Sequence, residues 1–99
     1  SSAASDVYKR QVEVHASAFA ELVIWLLPEP LAGSAHAFKY RLAYVVDGVC
    51  VLRYDNEAGK GDHRHLDEQE SRYRFKNADR LMADFFEDIQ RYNHEHPHD

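Results

Sequence analysis

The sequence predicts an α+β fold: a small antiparallel β-sheet of four to five strands with one C-terminal α-helix packed on one face. Three observations carry this reading. Asp47-Gly48 stands between two apolar runs, Phe38–Val46 (FKYRLAYVV) and Val49–Asp55 (VCVLRYD), and Asp-Gly in that setting signals a two-residue type I′ hairpin turn. Phe19–Leu27 (FAELVIWLL) is rich in β-branched and aromatic residues, as strands are. Leu81, Phe85, Ile89 and Tyr92 recur at helical spacing, with Phe86 flanking the stripe.

The elements follow in order. Residues 1–11, SSAASDVYKRQ, read letter for letter as the translation of a transposon-derived adapter used in short-read DNA library preparation. They have no apolar core of a secretory signal and no amphipathic period of a transit peptide. They are expected to be a non-native tail with few specific contacts, on a chain from an environmental assembly. The single biological domain is then 12–99, truncated at its N-terminus. Val12-Glu13-Val14 alternates like the end of a strand, and His15 to Ala18 is its turn. Pro28 and Pro30 end the Phe19–Leu27 strand, and Leu31 to His36 is a loop.

The Asp-Gly turn fixes a hairpin register. Val46 is expected to face Val49, Tyr44 Val51, Leu42 Arg53 and Tyr40 Asp55. Val45 with Cys50, Ala43 with Leu52 and Arg41 with Tyr54 lie on the other face. Both faces are apolar near the turn, so each is expected to be covered there. Asn56 to Leu66 reads as a polar loop and Ser71 to Phe75 as a short strand. Asn77 is a suitable N-cap and Asp79 suits the first turn of a helix from about Ala78 to Asn93. The HEHPHD tail, with His94, His96 and His98, reads as frayed.

The formal net charge is −5 over 99 residues, and the chain without residues 1–11 is one unit more acidic. Such a chain is a poor non-specific nucleic-acid binder. It can still hold a local basic site or dock on a basic protein. Cys50 is the only cysteine, which excludes an intrachain disulfide and points to a cytoplasmic setting. It reads as a small buried apolar residue. No run reaches the roughly 18 apolar residues of a membrane span.

Chemistry concentrates in Arg53-Tyr54-Asp55-Asn56-Glu57-Ala58-Gly59-Lys60-Gly61-Asp62-His63-Arg64-His65. In extended backbone His63 and His65 point to one side, with Asp62 and Arg64 on the other. Three readings stay open on these residues alone. One is phosphodiester chemistry without a metal or cofactor. Histidines would then move both protons, and Lys60, Arg64 or Arg53 would supply the cation. The second is a metal site of His63 and His65 with Asp62 or Asp55. The third is a solvated polar loop.

Glu21 to His65 resembles the TumE family of bacterial toxin–antitoxin toxins. The family pattern is an E-x-V-x-W strand with a following Pro, then K-Y-R, a D-G hairpin, and Y-D-N-E-x-x-K-G-D-H-x-H. Glu21, Trp25, Pro28, Lys39-Tyr40-Arg41, Tyr54-Asp55-Asn56 and Lys60–His65 stand at those positions. The helix LMADFFEDI fits as well, so the resemblance covers Val12 to Tyr92. It implies the toxin half of a two-gene module, whose partner is a small antitoxin, often with a helix-turn-helix DNA-binding part. An acidic toxin would complement a basic DNA-binding partner. Ribonuclease activity is the class expectation, with RNA as substrate. His63 and His65 would then be the proton-transfer pair, Lys60 and Arg53 would stabilise phosphate, and Asp62 or Asp55 would orient a histidine. Tyr54, Asn56 and Arg64 would bind. The alternative is a non-enzymatic interaction module that holds its antitoxin or inhibits a cellular protein by contact.

Overall fold

Six strands follow one another along the chain and pair in the same order. They are β1 (Ser5–His15), β2 (Ala18–Leu26), β3 (Phe38–Val46), β4 (Val49–Glu57), β5 (Gly61–Leu66) and β6 (Gln69–Arg72), all antiparallel to their neighbours, and α1 (Ala78–Glu95) follows. The structure is a computed structural model that describes residues 5–97, with side chains from residue 8. The α+β class holds, with six strands instead of the four to five expected. The extra strand comes from Asn56–Leu66, which is not a loop. β4 runs on to Glu57, reverses over Ala58–Lys60 and returns as β5. Gly59 and Gly61 supply the reversal with φ of 81° and 77°, where side chains are strained. The last strand pairs over Gln69–Arg72, earlier than expected. Tyr73 still donates its N–H to the Asp62 carbonyl (3.1 Å), and the chain then leaves the sheet.

The central hairpin turns as the sequence predicts, with positive φ at both Asp47 (51°) and Gly48 (80°). Val46 pairs with Val49 and Val45 with Cys50. The expected register then fails by one residue. A bulge leaves Val51 unpaired, so Tyr44 faces Leu52, Ala43 faces Arg53, Leu42 faces Tyr54 and Arg41 faces Asp55. The physical reason is the side-chain period of two. Without the extra residue Arg53 and Asp55 would point into the core and Leu52 and Tyr54 would point out.

One face of the sheet carries the core. Ala20, Leu22 and Ile24 of β2, Tyr40, Leu42 and Tyr44 of β3, and Leu52 and Tyr54 of β4 pack beneath Leu81, Phe85 and Ile89 of α1. Each fully buried large apolar side chain stabilises by roughly 1.5–3 kcal/mol. The helix starts where expected: Asn77 accepts from the Arg80 N–H at 2.7 Å, and Asp79 lies in the first turn. It runs two residues past Asn93 and takes His94 into its last turn, while His98 lies outside the described residues.

Three expectations need correction. Cys50 is exposed because, opposite Val45, it stands on the sheet face away from α1, and Val49 beside it is exposed at the hairpin end. No second layer covers the opposite face there among the described residues. The tail also makes more contacts than predicted: Ser5–Gln11 continue β1 along β2, from Ser5 opposite Leu26 to Gln11 opposite Glu21, and Tyr8 packs on the core. Ladder hydrogen bonds belong to the backbone, so a segment of any origin can complete that edge.

Candidate functional site

The bulge at Val51 assembles an open polar face. Across β3, β4, β5 and β6, one row runs Arg41, Asp55, His63, Arg72 and the next runs Ala43, Arg53, His65, Glu70. On β2, Glu21 lies beside this surface and its carboxylate meets the Arg41 guanidinium at 3.3 Å. Directly opposed residues on a sheet are neighbours, so the rows bring residues distant in sequence into contact.

Within the rows the two histidines differ. Their rings lie 6.5 Å apart. His65 Nε2 is 3.1 Å from Glu70 Oε2, 3.8 Å from Asp55 Oδ1 and 3.3 Å from Arg53 Nη2. Arg53 Nε is 3.0 Å from Asp55 Oδ2 without hydrogen-bond alignment. His63 makes no hydrogen bond or ion pair among the described residues. His63 and His65 lie on one side of β5 and Asp62 and Arg64 on the other, as alternation in extended backbone dictates.

The remaining predicted residues lie elsewhere. Tyr54, Asn56 and Arg64 face the helix side. Asn56 is fully buried: its Oδ1 accepts from the Tyr40 N–H (3.0 Å) and its Nδ2 donates to the Phe38 carbonyl (2.7 Å). Arg64 Nε donates to Asp88 Oδ2 at 2.6 Å, and the Tyr54 hydroxyl donates to the same carboxylate. Burial pushes the Tyr54 hydroxyl pKa far up, and Asp88 adds to it. Burial opposes the Arg64 charge, but Asp88 outweighs it and raises the guanidinium pKa. Asp88 is a residue that sequence reasoning missed. The signal was a carboxylate on the same helical stripe as Phe85 and Ile89.

Lys60 and Asp62 belong to a cleft at the turned end of β4 and β5. Its volume is about 240 Å³, and Gly33, His36, Lys60, Asp62, Arg72 and Phe75 are among its lining residues. The loop after β2 closes one side, where the Gly59 N–H donates to the Ala32 carbonyl (2.6 Å). A Cβ at Gly33 would stand 3.4 Å from the Gly59 Cα. His36, also missed from the sequence, holds Asp62 through Nε2 (2.9 Å to Oδ2, 3.2 Å to Oδ1). Its Nδ1 accepts from the Phe38 N–H (3.1 Å), which fixes the tautomer with the proton on Nε2. Its ring stacks on Phe75 at 3.9 Å. The Tyr40 hydroxyl is buried nearby with no aligned partner. Burial first, and then the Asp62 carboxylate, drive its pKa far above the ordinary phenol range.

The chain matches the family described as Toxin TumE over residues 2–93. It belongs to the TumE toxin family. Comparison with curated proteins and with solved structures returned no match. Membership makes the chain a toxin, and a toxin of this kind has a cognate antitoxin. The TumE motif thus divides in space: Asp55, His63 and His65 lie on the open face, Lys60 and Asp62 in the cleft, and Tyr54, Asn56 and Arg64 under the helix. Asp62 lies across the sheet from the histidines, and among the described residues no three His, Cys, Asp or Glu side chains gather as a metal ion requires. No helix of the described residues is long and apolar enough to cross a membrane.

Proposed function

We propose that this toxin is a metal-independent endoribonuclease working on the open face of its sheet in the cytoplasm. The observation that carries the reading is the cross-strand pairing of Asp55 with His63 and Arg53 with His65. It sets two imidazoles 6.5 Å apart beside a guanidinium on an uncovered surface. That separation leaves room for one phosphate between them. His63, which has no hydrogen-bond or ion-pair partner among the described residues, takes the 2′-OH proton as the 2′-oxygen attacks phosphorus. His65, backed by Glu70 and Asp55, gives a proton to the departing 5′-oxygen, leaving a 2′,3′-cyclic phosphate and a 5′-hydroxyl. Arg53, and Arg72 opposite His63, stabilise charge on the phosphorane oxygens. The cognate antitoxin, of helix-turn-helix DNA-binding type, would silence the toxin by covering this face.

The test is cleavage of end-labelled RNA with and without EDTA, beside the His63→Ala and His65→Ala variants. Cleavage that survives EDTA and vanishes in both variants supports the reading. Toxicity and cleavage unchanged in both variants overturn it and favour inhibition by contact.

A further inference from the structure

The cleft beside the turn of β4 and β5 is separate from the histidine pair, yet it shares one residue with that surface. Arg72 is the cross-strand partner of His63 and also lines the cleft. From its position there, we propose that the cleft is a nucleotide subsite for guanine, holding one nucleotide of the RNA next to the bond cut on the open face. This rests on the ribonuclease reading for its purpose, but not for its chemistry.

Two cations, Lys60 and Arg72, line the cleft, and the Lys60 ammonium is largely exposed, 3.8 Å from its nearest carboxylate on Glu57. Phosphate is the anion of a nucleotide, and cations at the cleft's rim suit it. The opposite chemistry lies deeper. Asp62 has only 10 % of its side chain exposed, and His36 supplies a single N–H to it. The buried Tyr40 hydroxyl stands beside the same carboxylate, and of the roughly four acceptor sites on a carboxylate about two then remain for a ligand. An aperture with acceptors at its floor calls for a ligand edge with donors. Guanine is the base whose Watson–Crick edge presents two adjacent donors, N1–H and the N2 amine. Cytosine and adenine present one donor next to an acceptor, and uracil one donor between acceptors. Single-stranded RNA is read along that edge. Tyr73 and Phe75 add aromatic surface for a base. At about 240 Å³, below the roughly 300–1,000 Å³ of drug-sized sites, the cleft has room for one base and not two.

The experiment uses the His63→Ala/His65→Ala protein, so binding is read without cleavage. GMP, AMP, CMP and UMP are titrated in turn, and backbone amide chemical shifts are followed. GMP is expected to bind most tightly, moving Gly61, Asp62 and Tyr73. Lys60→Ala and Arg72→Ala should each weaken GMP about tenfold, and Asp62→Asn should bring GMP level with AMP. The Lys60 side chain is exposed, so its loss leaves the fold intact and keeps the test decisive if Asp62→Asn misfolds. The proposal is overturned if no nucleotide binds at millimolar concentration, if AMP equals GMP, or if the shifts fall away from the cleft. GMP binding without RNA cleavage by the unmutated protein would retain the subsite and remove the ribonuclease reading. Cleavage without nucleotide binding would do the reverse.

Discussion

Arg64 donates to Asp88 across 2.6 Å, joining β5 to α1 on the face opposite the histidines. The Tyr54 hydroxyl shares the same carboxylate, and Arg91 reaches its other oxygen at 3.3 Å. Removing Asp88 strands a guanidinium and a hydroxyl in the interior. Asp88→Ala is expected to cost about 3 kcal/mol, at the low end for a buried pair because Arg64 is one-quarter exposed. Urea unfolding followed by far-ultraviolet circular dichroism measures it. A loss under about 1 kcal/mol would show that the pair contributes little.

Asn56 does for β3 what a longer β4 ladder would otherwise do. Both of its side-chain bonds go to backbone groups of Phe38 and Tyr40. Asn56→Ala leaves a buried N–H and a buried carbonyl unpaired, and stability should fall by about 2–4 kcal/mol. Asn56→Asp should also destabilise, since its second oxygen cannot donate to the Phe38 carbonyl. Thermal melts of the two variants provide the check.

Alkali should unfold the protein steeply. Burial raises the pKa of Tyr40, Tyr44, Tyr54, Tyr73 and Tyr92 above the ordinary value of 10.0. Their contribution is fully present below pH 10. Above it the unfolded chain releases phenolic protons that the folded chain keeps, so stability falls as pH rises. The chain has six tyrosines, and tyrosinate absorbance from more than one of them is expected only together with loss of structure; its appearance in a still-folded protein would contradict these burials.

On the open face, His63→Ala should lower the rate constant for RNA cleavage by about 10²–10⁴. Glu70→Gln, which only loosens His65, should cost less. Equal losses in the two variants would assign Glu70 a direct part in the reaction.

The exposed Cys50 thiol should react stoichiometrically with a thiol reagent in the native protein, without denaturant. Protection until unfolding would show that the hairpin end is covered.

What was readable in the chain follows from which interactions are local. The Asp47-Gly48 turn, the bounds of β3 and the Asn77 cap each depend on a few adjacent residues, and all were legible. β5 was not, because DHRH is polar in both phases of a strand and only Leu66 at its end is apolar. Its inward residues Asp62 and Arg64 find hydrogen-bond partners in His36, 26 positions earlier, and Asp88, 24 positions later. No short window contains those partners. The bulge at Val51 was hidden for a related reason: the turn sets register only until the packing of the whole face demands an extra residue. Within the candidate site, the shared side of His63 and His65 was legible from alternation alone. Arg53 joined them only through the bulge, Glu70 and Arg72 only through strand pairing, and His36 reached Asp62 in the cleft only through the fold.

Chain order and strand order coincide in this sheet, and that has a consequence for synthesis. Each strand meets its partner as soon as it leaves the ribosome, with no wait for a distant segment, so loop-closure costs stay small. The helix is different. It is made after every strand, and until it emerges Leu22, Tyr40, Leu42 and Tyr54 line a bare apolar sheet. The nascent toxin therefore passes through a stage in which its backbone is paired and its hydrophobic face is unprotected, the state most prone to aggregation or to capture by a chaperone.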